Sequence, residues 1–242
     1  MMDTQQTMIS QTIRPEHHPH RVFLARHGQS ASNCEGRIAG QMNPPLTEKG
    51  QRQALRLSTV LQDIRLTKIV TSSLSRSIET AKPTAERQGL TVCSLAGINE
   101  ISFGILEGRL RHDLDHDSQN LLDQWTRDKA NFRIPSGENL IDVRRRAIPA
   151  LSRVFRENPG DNILIVGHRH TNLVILSALL GWNLHSIKDT TIQSKYVYEL
   201  HLVPTPRIYT ICLTGEARGR RLEGFLSGDA AMSSYKERGL GS

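Results

Sequence analysis

Aromatic side chains are scarce in this chain. Phe, Trp and Tyr together make up 5% of its 242 residues, and no basic run is interleaved with them. That excludes the stacking platforms on which single-stranded nucleic acid is held. Cysteine is also sparse. Cys34, Cys93 and Cys212 are odd in number and far apart, and no CxxC occurs. A disulfide framework and a cysteine zinc site are both excluded, and a reducing compartment is expected. No apolar stretch is long enough to cross a bilayer, and the first twenty residues lack the apolar core of a signal peptide. The expectation is a cytoplasmic protein with no membrane partner.

What is present is an ordinary globular composition, 37% hydrophobic and 23% charged, with a net charge of +7. The positive excess lies between residues 21 and 214, which favours anionic ligands such as phosphorylated metabolites. Residues 1–20 are polar and aperiodic and are expected to form a mobile arm. Residues 21–214 are enough for one sizeable core. Residues 215–242 are rich in Gly, Arg and Ser and are expected to be a poorly ordered tail.

Short apolar runs alternate with helical patterns from residue 21 to 181. Strands are expected at 21–25, 68–71, 90–93 and 163–166. Helices are expected from Thr47, acting as N-cap, and over 74–88, 138–156 and 171–180. Residues 31–46 read as a loop and 99–137 as a cap with short helical patches. Residues 196–200 and 207–213 read as a hairpin. The alternation implies an α/β domain, a three-layer αβα sandwich with a mostly parallel central sheet and helices on both faces.

The first strand runs into Arg26-His27-Gly28, the strand at 163–166 into Gly167-His168, and the strand at 68–71 into Ser72-Ser73-Leu74-Ser75-Arg76. In a parallel sheet the carboxyl ends of the strands share one edge, where ligands bind. Arg26, His27, Arg76 and His168 can therefore converge. Two guanidinium groups and two imidazoles suit a dianionic phosphate, because arginine forks match phosphate oxygens. One neutral histidine can attack phosphorus while the other cations stabilise the equatorial oxygens. A leaving alkoxide needs a proton. Glu100 is the candidate acid, with Glu107 its nearest rival. Burial near Ile98, Ile101 or Phe103 is expected to raise the pKa of Glu100 and keep it protonated.

Six segments stand in a telling order. They are Leu24 to Ser30 with Asn33, Leu46 to Gly50 with Gln53-Ala54, Ser72 to Ala81, Asn99 to Gly104 with Glu107-Gly108, Pro135 to Asn139, and Ile165 to His168. Through them the chain, from about residue 22 to 213, resembles the phosphoglycerate mutase-like branch of the histidine phosphatases. The resemblance implies that His27 is the phosphorylated nucleophile. It implies that Arg26, Arg76 and His168 bind the phosphoryl group, with Asn33 assisting. Glu100 would protonate the leaving oxygen and then help water attack. No metal or other cofactor is implied. Gln29, Ser30 and Arg169 are further candidates for substrate contact.

Three positions depart from the family pattern. Arg169 follows His168 where a small residue is usual, with His170 next. Asn139 replaces a common serine, and Leu106 stands where an aromatic is frequent. The expected activity is hydrolysis of a small phosphorylated metabolite by a monomer or homodimer with no specific nucleic-acid partner. The alternative is a phosphoglycerate mutase. The stretch from Glu100 to Gly137 is short for one, yet it offers Arg109, Arg111, Arg127, Lys129 and Arg133 for a carboxylate. A non-catalytic phosphoryl-binding module is a second alternative. His17, His18 and His20 read as a solvated tail, His112 and His116 as a solvated helix face, and Arg144-Arg145-Arg146 as spread around a helix surface.

Overall fold

A computed structural model describes residues 19–227 apart from 186, 188 and 189. Its organising element is β1 (Arg21–Arg26), whose four middle residues are fully buried. Successive strand side chains point to opposite faces. Val22 and Leu24 therefore enter one core, while Phe23 and Ala25 enter another. The remaining strands are β2 (Lys68–Thr71), β3 (Val92–Ser94), β4 (Asn162–Gly167), β5 (Tyr196–His201), β6 (Arg207–Cys212) and β7 (Arg221–Glu223). They form one sheet in the order β3-β2-β4-β1-β5-β6-β7. β1 to β4 are mutually parallel, β5 reverses, and the β5–β6 pair is the hairpin read from the sequence.

The helices are α1 (Ala31–Glu35), α2 (Glu48–Val60), α3 (Ser75–Gln88), α4 (His116–Arg127), α5 (Leu140–Glu157) and α6 (Arg169–Leu180). Leu57 of α2 with Ala81 and Ala85 of α3 cover Phe23, Ala25, Leu164 and Val166. Val143, Ala147 and Leu151 of α5 with Leu173 and Leu176 of α6 cover Val22, Leu24, Ile163 and Ile165. This is the three-layer αβα sandwich. Its ends follow local chemistry. Thr47 accepts from Gly50 N–H at 3.2 Å to cap α2, and Asn139 accepts from Asp142 N–H at 2.9 Å to cap α5.

Three local readings change. The loop expected at 31–46 begins with a helical turn, α1. Asn33 Oδ1 accepts from Ser30 N–H at 3.2 Å and from Ser30 Oγ–H at 3.1 Å, and Gly36 closes the turn at φ 72°. Helix α6 starts at Arg169, directly after an extended His168. Residues 215–227 are ordered structure and not a loose tail. β7 adds to the sheet edge, Leu226 is buried, and Tyr198 Oη–H donates to Leu226 O at 3.0 Å. The polar composition there conceals Leu222, Phe225 and Leu226, which have apolar surface to cover.

Residues 228–242 and most of the expected N-terminal arm, 1–18 with His17 and His18, lie outside the described residues. His20 lies within them and faces Asn162. Among the described residues no helix is long and apolar enough to cross a membrane, and no three His, Cys, Asp or Glu side chains gather as a metal site.

Candidate active site

Parallel pairing of β1 with β4 sets Arg26 opposite Gly167, so the next residues on each strand, His27 and His168, emerge side by side. His27 N–H continues the ladder to Gly167 O at 2.9 Å, and the two rings lie 5.0 Å apart between centroids. β2 lies on the far side of β4 and delivers Ser72 to the same edge. Helix α3 starts just beyond and carries Arg76, which is 1% exposed.

The turn after β1 passes directly over the start of α2. A Cβ on Gly28 would sit 2.5 Å from Gly50 O, and one on Gly50 would sit 2.2 Å from Gln29 O. Both positions therefore need glycine. Gly28 N–H donates to Thr80 Oγ1 at 2.9 Å, tying the turn to α3.

These elements enclose a cavity of about 150 Å³ at the carboxyl edge of the sheet, lined by Arg26, His27, Asn33, Arg76, Glu100 and Arg169 among others. His27 Nδ1 lies 2.6 Å from Gly28 O. A carbonyl can only accept, so Nδ1 carries the proton and Nε2 keeps its lone pair. Arg76 Nε–H donates to that Nε2 at 3.3 Å. The other two Arg76 nitrogens donate to Met42 O at 2.5 Å and Gly40 O at 2.9 Å, which fixes the guanidinium.

His168 Nε2 lies 2.7 Å from Ser72 Oγ and 3.3 Å from Ser77 Oγ. Its Nδ1 has no hydrogen-bond partner among the described residues, and neither has Arg26 Nε. Burial, then the neighbouring His168 and the Arg26 and Arg76 guanidiniums, hold His27 well below the ordinary imidazole range. Burial, with Arg76 and Arg26 and against the pull of Glu100, pushes His168 down to about 3. Both rings are therefore neutral at neutral pH.

Glu100 lies at the start of α6. Its Oε1 accepts from Ile101 N–H at 3.0 Å and from His170 N–H and Thr171 N–H, each at 3.2 Å. Oε2 lies 3.4 Å from His170 Nδ1. Burial works against a charge here. The imidazole of His170, then His168 and the Ile101 N–H, outweigh it and hold the carboxyl well below its usual range. This overturns the expectation of a protonated acid. The apolar neighbours are present, but the donors of a helix N-terminus accompany them, and the free site holds a carboxylate.

The rival carboxylate is engaged elsewhere. Glu107 Oε1 accepts from Phe103 N–H at 2.9 Å and Gln41 N–H at 3.1 Å, bracing loops. Gln29 and Ser30 are absent from the cavity wall. Gln29 Oε1 accepts from Thr47 Oγ1–H at 3.0 Å, while Ser30 is tied to Asn33. Arg26, Asn33 and Arg169 do reach the wall.

Arg146 departs from its expected surface position. It donates to Gly97 O and Asn99 O at 2.8 Å and to Glu100 O at 3.0 Å, and it pairs with Glu138 at 2.8 Å. It thus clamps the backbone that carries Glu100. Arg37 and Arg111 also line the cavity. Sequence reading had no signal for Arg37, because both come to the wall through an isolated bridge between Arg37 and Leu110.

Residues 22–205 match the histidine phosphatase superfamily (branch 1). Among curated relatives, the probable phosphoglycerate mutase GpmB of Cronobacter sakazakii is 35% identical over 161 residues, 66% of this chain and 75% of that one. Among solved structures, a mycobacterial glucosyl-3-phosphoglycerate phosphatase is similar at TM-score 0.69 and 26% identity, covering 75% of this chain and 92% of that one. YhfR of Bacillus stearothermophilus has the same fold at TM-score 0.72 and 24% identity, over 82% and 96% of the two chains.

Proposed function

Because the chain belongs to the histidine phosphatase superfamily, branch 1, we propose that it hydrolyses a small phosphorylated metabolite through a phosphohistidine on His27. The observation that carries this reading is the bond from His27 Nδ1–H to Gly28 O, which leaves Nε2 unprotonated beside a cavity walled by arginines.

The substrate's phosphoryl oxygens take over the donors of Arg26 and Arg76, including the Nε–H that rests on His27 Nε2. Asn33 assists at the mouth. His168, with Nε2 occupied by Ser72 and Ser77, meets the phosphoryl group through Nδ1. The Nε2 lone pair attacks phosphorus, the bond to the ester oxygen breaks, and its electrons leave with that oxygen. Glu100 supplies the proton. It is a carboxylate in the free site, so it takes up this proton as the negative phosphoryl group arrives beside it. Glu100, again a carboxylate, then accepts a proton from water. The oxygen of that water displaces Nε2 from phosphorus, releasing inorganic phosphate and free His27. Neither step calls for a metal or other cofactor.

The name of the GpmB relatives favours a second reading, in which the phosphoryl group returns to a phosphoglycerate instead of passing to water. One experiment separates the two. Metal-free protein is given a panel of phosphomonoesters that includes 3-phosphoglycerate, with His27→Ala alongside. Inorganic phosphate released by wild type and lost in the variant supports hydrolysis. Formation of 2-phosphoglycerate with little free phosphate makes the protein a mutase. A wild type that turns over no ester and traps no phosphate on His27 removes both, leaving the phosphoryl-binding module.

A further inference from the structure

Glu100 makes two proton transfers in the hydrolysis proposed above, and its two oxygens are not equivalent. Oε1 accepts from the N–H groups of Ile101, His170 and Thr171 at 3.0, 3.2 and 3.2 Å. An oxygen crowded by three donors is a poor place for a proton. Oε2 is met more loosely by His170, whose backbone N–H and ring Nδ1 both lie 3.4 Å away. Oε2 is therefore the oxygen that exchanges protons with the leaving group and with water, and the His170 imidazole stands beside it.

The ring is buried at the cavity wall in an aromatic niche. Its centroid lies 5.6 Å from that of Phe103 and 5.1 Å from that of Trp125 on α4, and those two rings pack edge to face at 4.9 Å. An apolar side chain would suit this niche better, because a buried polar group costs free energy unless it is paired. Nδ1 has no aligned hydrogen bond in the free protein, and Glu100 Oε2 is the acceptor it faces. A carboxylate can only accept, so the ring hydrogen belongs on Nδ1. Burial, joined by Arg169 on α6 and Lys129 after α4 and opposed by Glu100, lowers the ring's pKa and keeps a second proton off it. Around the carboxylate itself, Arg26 of β1 and Arg76 of α3 feel its charge. His168 lowers its pKa, and Arg146 of α5 holds Glu100 O at 3.0 Å.

We propose that His170 is a positioning residue for the second half of the reaction, its Nδ1–H holding Oε2 of Glu100 as the base that takes a proton from the attacking water. This rests on the phosphatase reading and deepens it. With phosphate on His27, a proton of water passes to Oε2 and the water oxygen bonds to phosphorus. The bond from phosphorus to His27 Nε2 breaks, and its electrons return to that nitrogen. A donor on Oε2 opposes protonation of Glu100 before water arrives, so it speeds this step and not the first.

Decay of the trapped phosphohistidine tests this. The protein is phosphorylated from radiolabelled p-nitrophenyl phosphate, and loss of label is followed by rapid quench from about pH 4.5 to 8. His170→Phe keeps an aromatic ring and loses the donor. The pH below which decay slows should rise by at least about one unit in it, the equivalent of one charge-assisted hydrogen bond. His170→Asn can set an amide N–H where Nδ1 stands and should recover most of that shift. The kcat/KM for p-nitrophenyl phosphate, an ester that needs no acid, reports phosphorylation and should change by less than about threefold in both variants. Decay is read only from sites that carry phosphate, so unfolded protein does not enter. Imidazole nitrogen NMR of the free wild type gives a reading that needs no variant. His170, assigned by its ring contacts to Phe103 and Trp125, should carry its hydrogen on Nδ1. A bare Nδ1, or a decay profile unmoved in His170→Phe, overturns the proposal while leaving the phosphatase reading intact. Failure of wild type to trap phosphate on His27 overturns the phosphatase reading, and this role of His170 falls with it.

Discussion

His27 gives its Nδ1 proton to the carbonyl of Gly28 across 2.6 Å, and this one bond settles which ring nitrogen is free to react. The residue that supplies the carbonyl is also the glycine that lets the turn press against Gly50. Tautomer and backbone path thus come from the same two adjacent residues.

If Nε2 is the nucleophile, His27→Ala removes the covalent step. Turnover of any ester that wild type accepts should fall by at least about a thousandfold, as when a nucleophile is deleted elsewhere. Labelled phosphate should no longer be trapped on the acid-quenched protein. Label retained in the variant would move the nucleophile to another residue.

Glu100 offers a test that needs no substrate. Its carboxyl is held well below the usual range in the free site by His170, His168 and the Ile101 N–H, against burial. An oxyanion placed next to it pushes the other way, so binding of vanadate near neutral pH should take up a proton. Calorimetry in buffers of different ionisation enthalpy counts that proton. Uptake should approach one per site in wild type and shrink in Glu100→Gln, which cannot titrate. The same substitution should slow alkyl phosphates more than p-nitrophenyl phosphate, whose leaving group needs no proton. Equal slowing of both ester types would take the acid role from Glu100.

The parts of this site legible in the sequence are those carried at strand ends. Apolar runs ending in Arg26-His27, in Ser72 before Arg76 and in His168 declare both a strand and the edge at which it stops. Strand order cannot be read from such runs, yet it is the placement of β4 between β2 and β1 that brings His168 beside His27. The state of Glu100 was hidden for a related reason. Its apolar neighbours are adjacent in sequence, whereas the His170 imidazole and His168, which hold its carboxyl low, arrive from the distant start of α6. Arg146 was illegible because its three carbonyl partners at Gly97, Asn99 and Glu100 carry no sequence signature. The order of residues 215–227 was masked by composition, with apolar Leu222, Phe225 and Leu226 set among Gly and Arg.

The contact between Gly28 and Gly50 sets a stability test independent of chemistry. In Gly28→Ala the new methyl meets the Gly50 carbonyl oxygen at 2.5 Å, a backbone atom with no rotamer to escape through. Overpacking of this kind costs about 1–3 kcal/mol. Urea unfolding should show that loss. Gly160→Ala serves as a comparison, because it meets no atom within 4 Å and is disturbed only by its positive φ of 77°. If Gly28→Ala proves no less stable than Gly160→Ala, β1 and α2 are not as closely apposed as described.

His168 ties the site to acid stability, and the sign follows from its burial. Its folded-state pKa is about 3, against roughly 6.5 for an unfolded chain. Between those values the unfolded state holds a proton that the folded state lacks. Stability is therefore complete above about pH 6.5 and is lost as pH falls toward 3, at up to ~1.4 kcal/mol per pH unit for this one group. His27 is lowered in the same direction and steepens the same region. His168→Asn keeps a polar group near Ser72 and removes one titrating ring. Unfolding free energies from urea titrations at pH 7, 6 and 5 should therefore fall less steeply in the variant, by about one proton's worth of slope. An unchanged slope would mean that the His168 ring already takes up its proton in the folded protein. It would then enter phosphoryl binding as a cation, not as the neutral partner of His27.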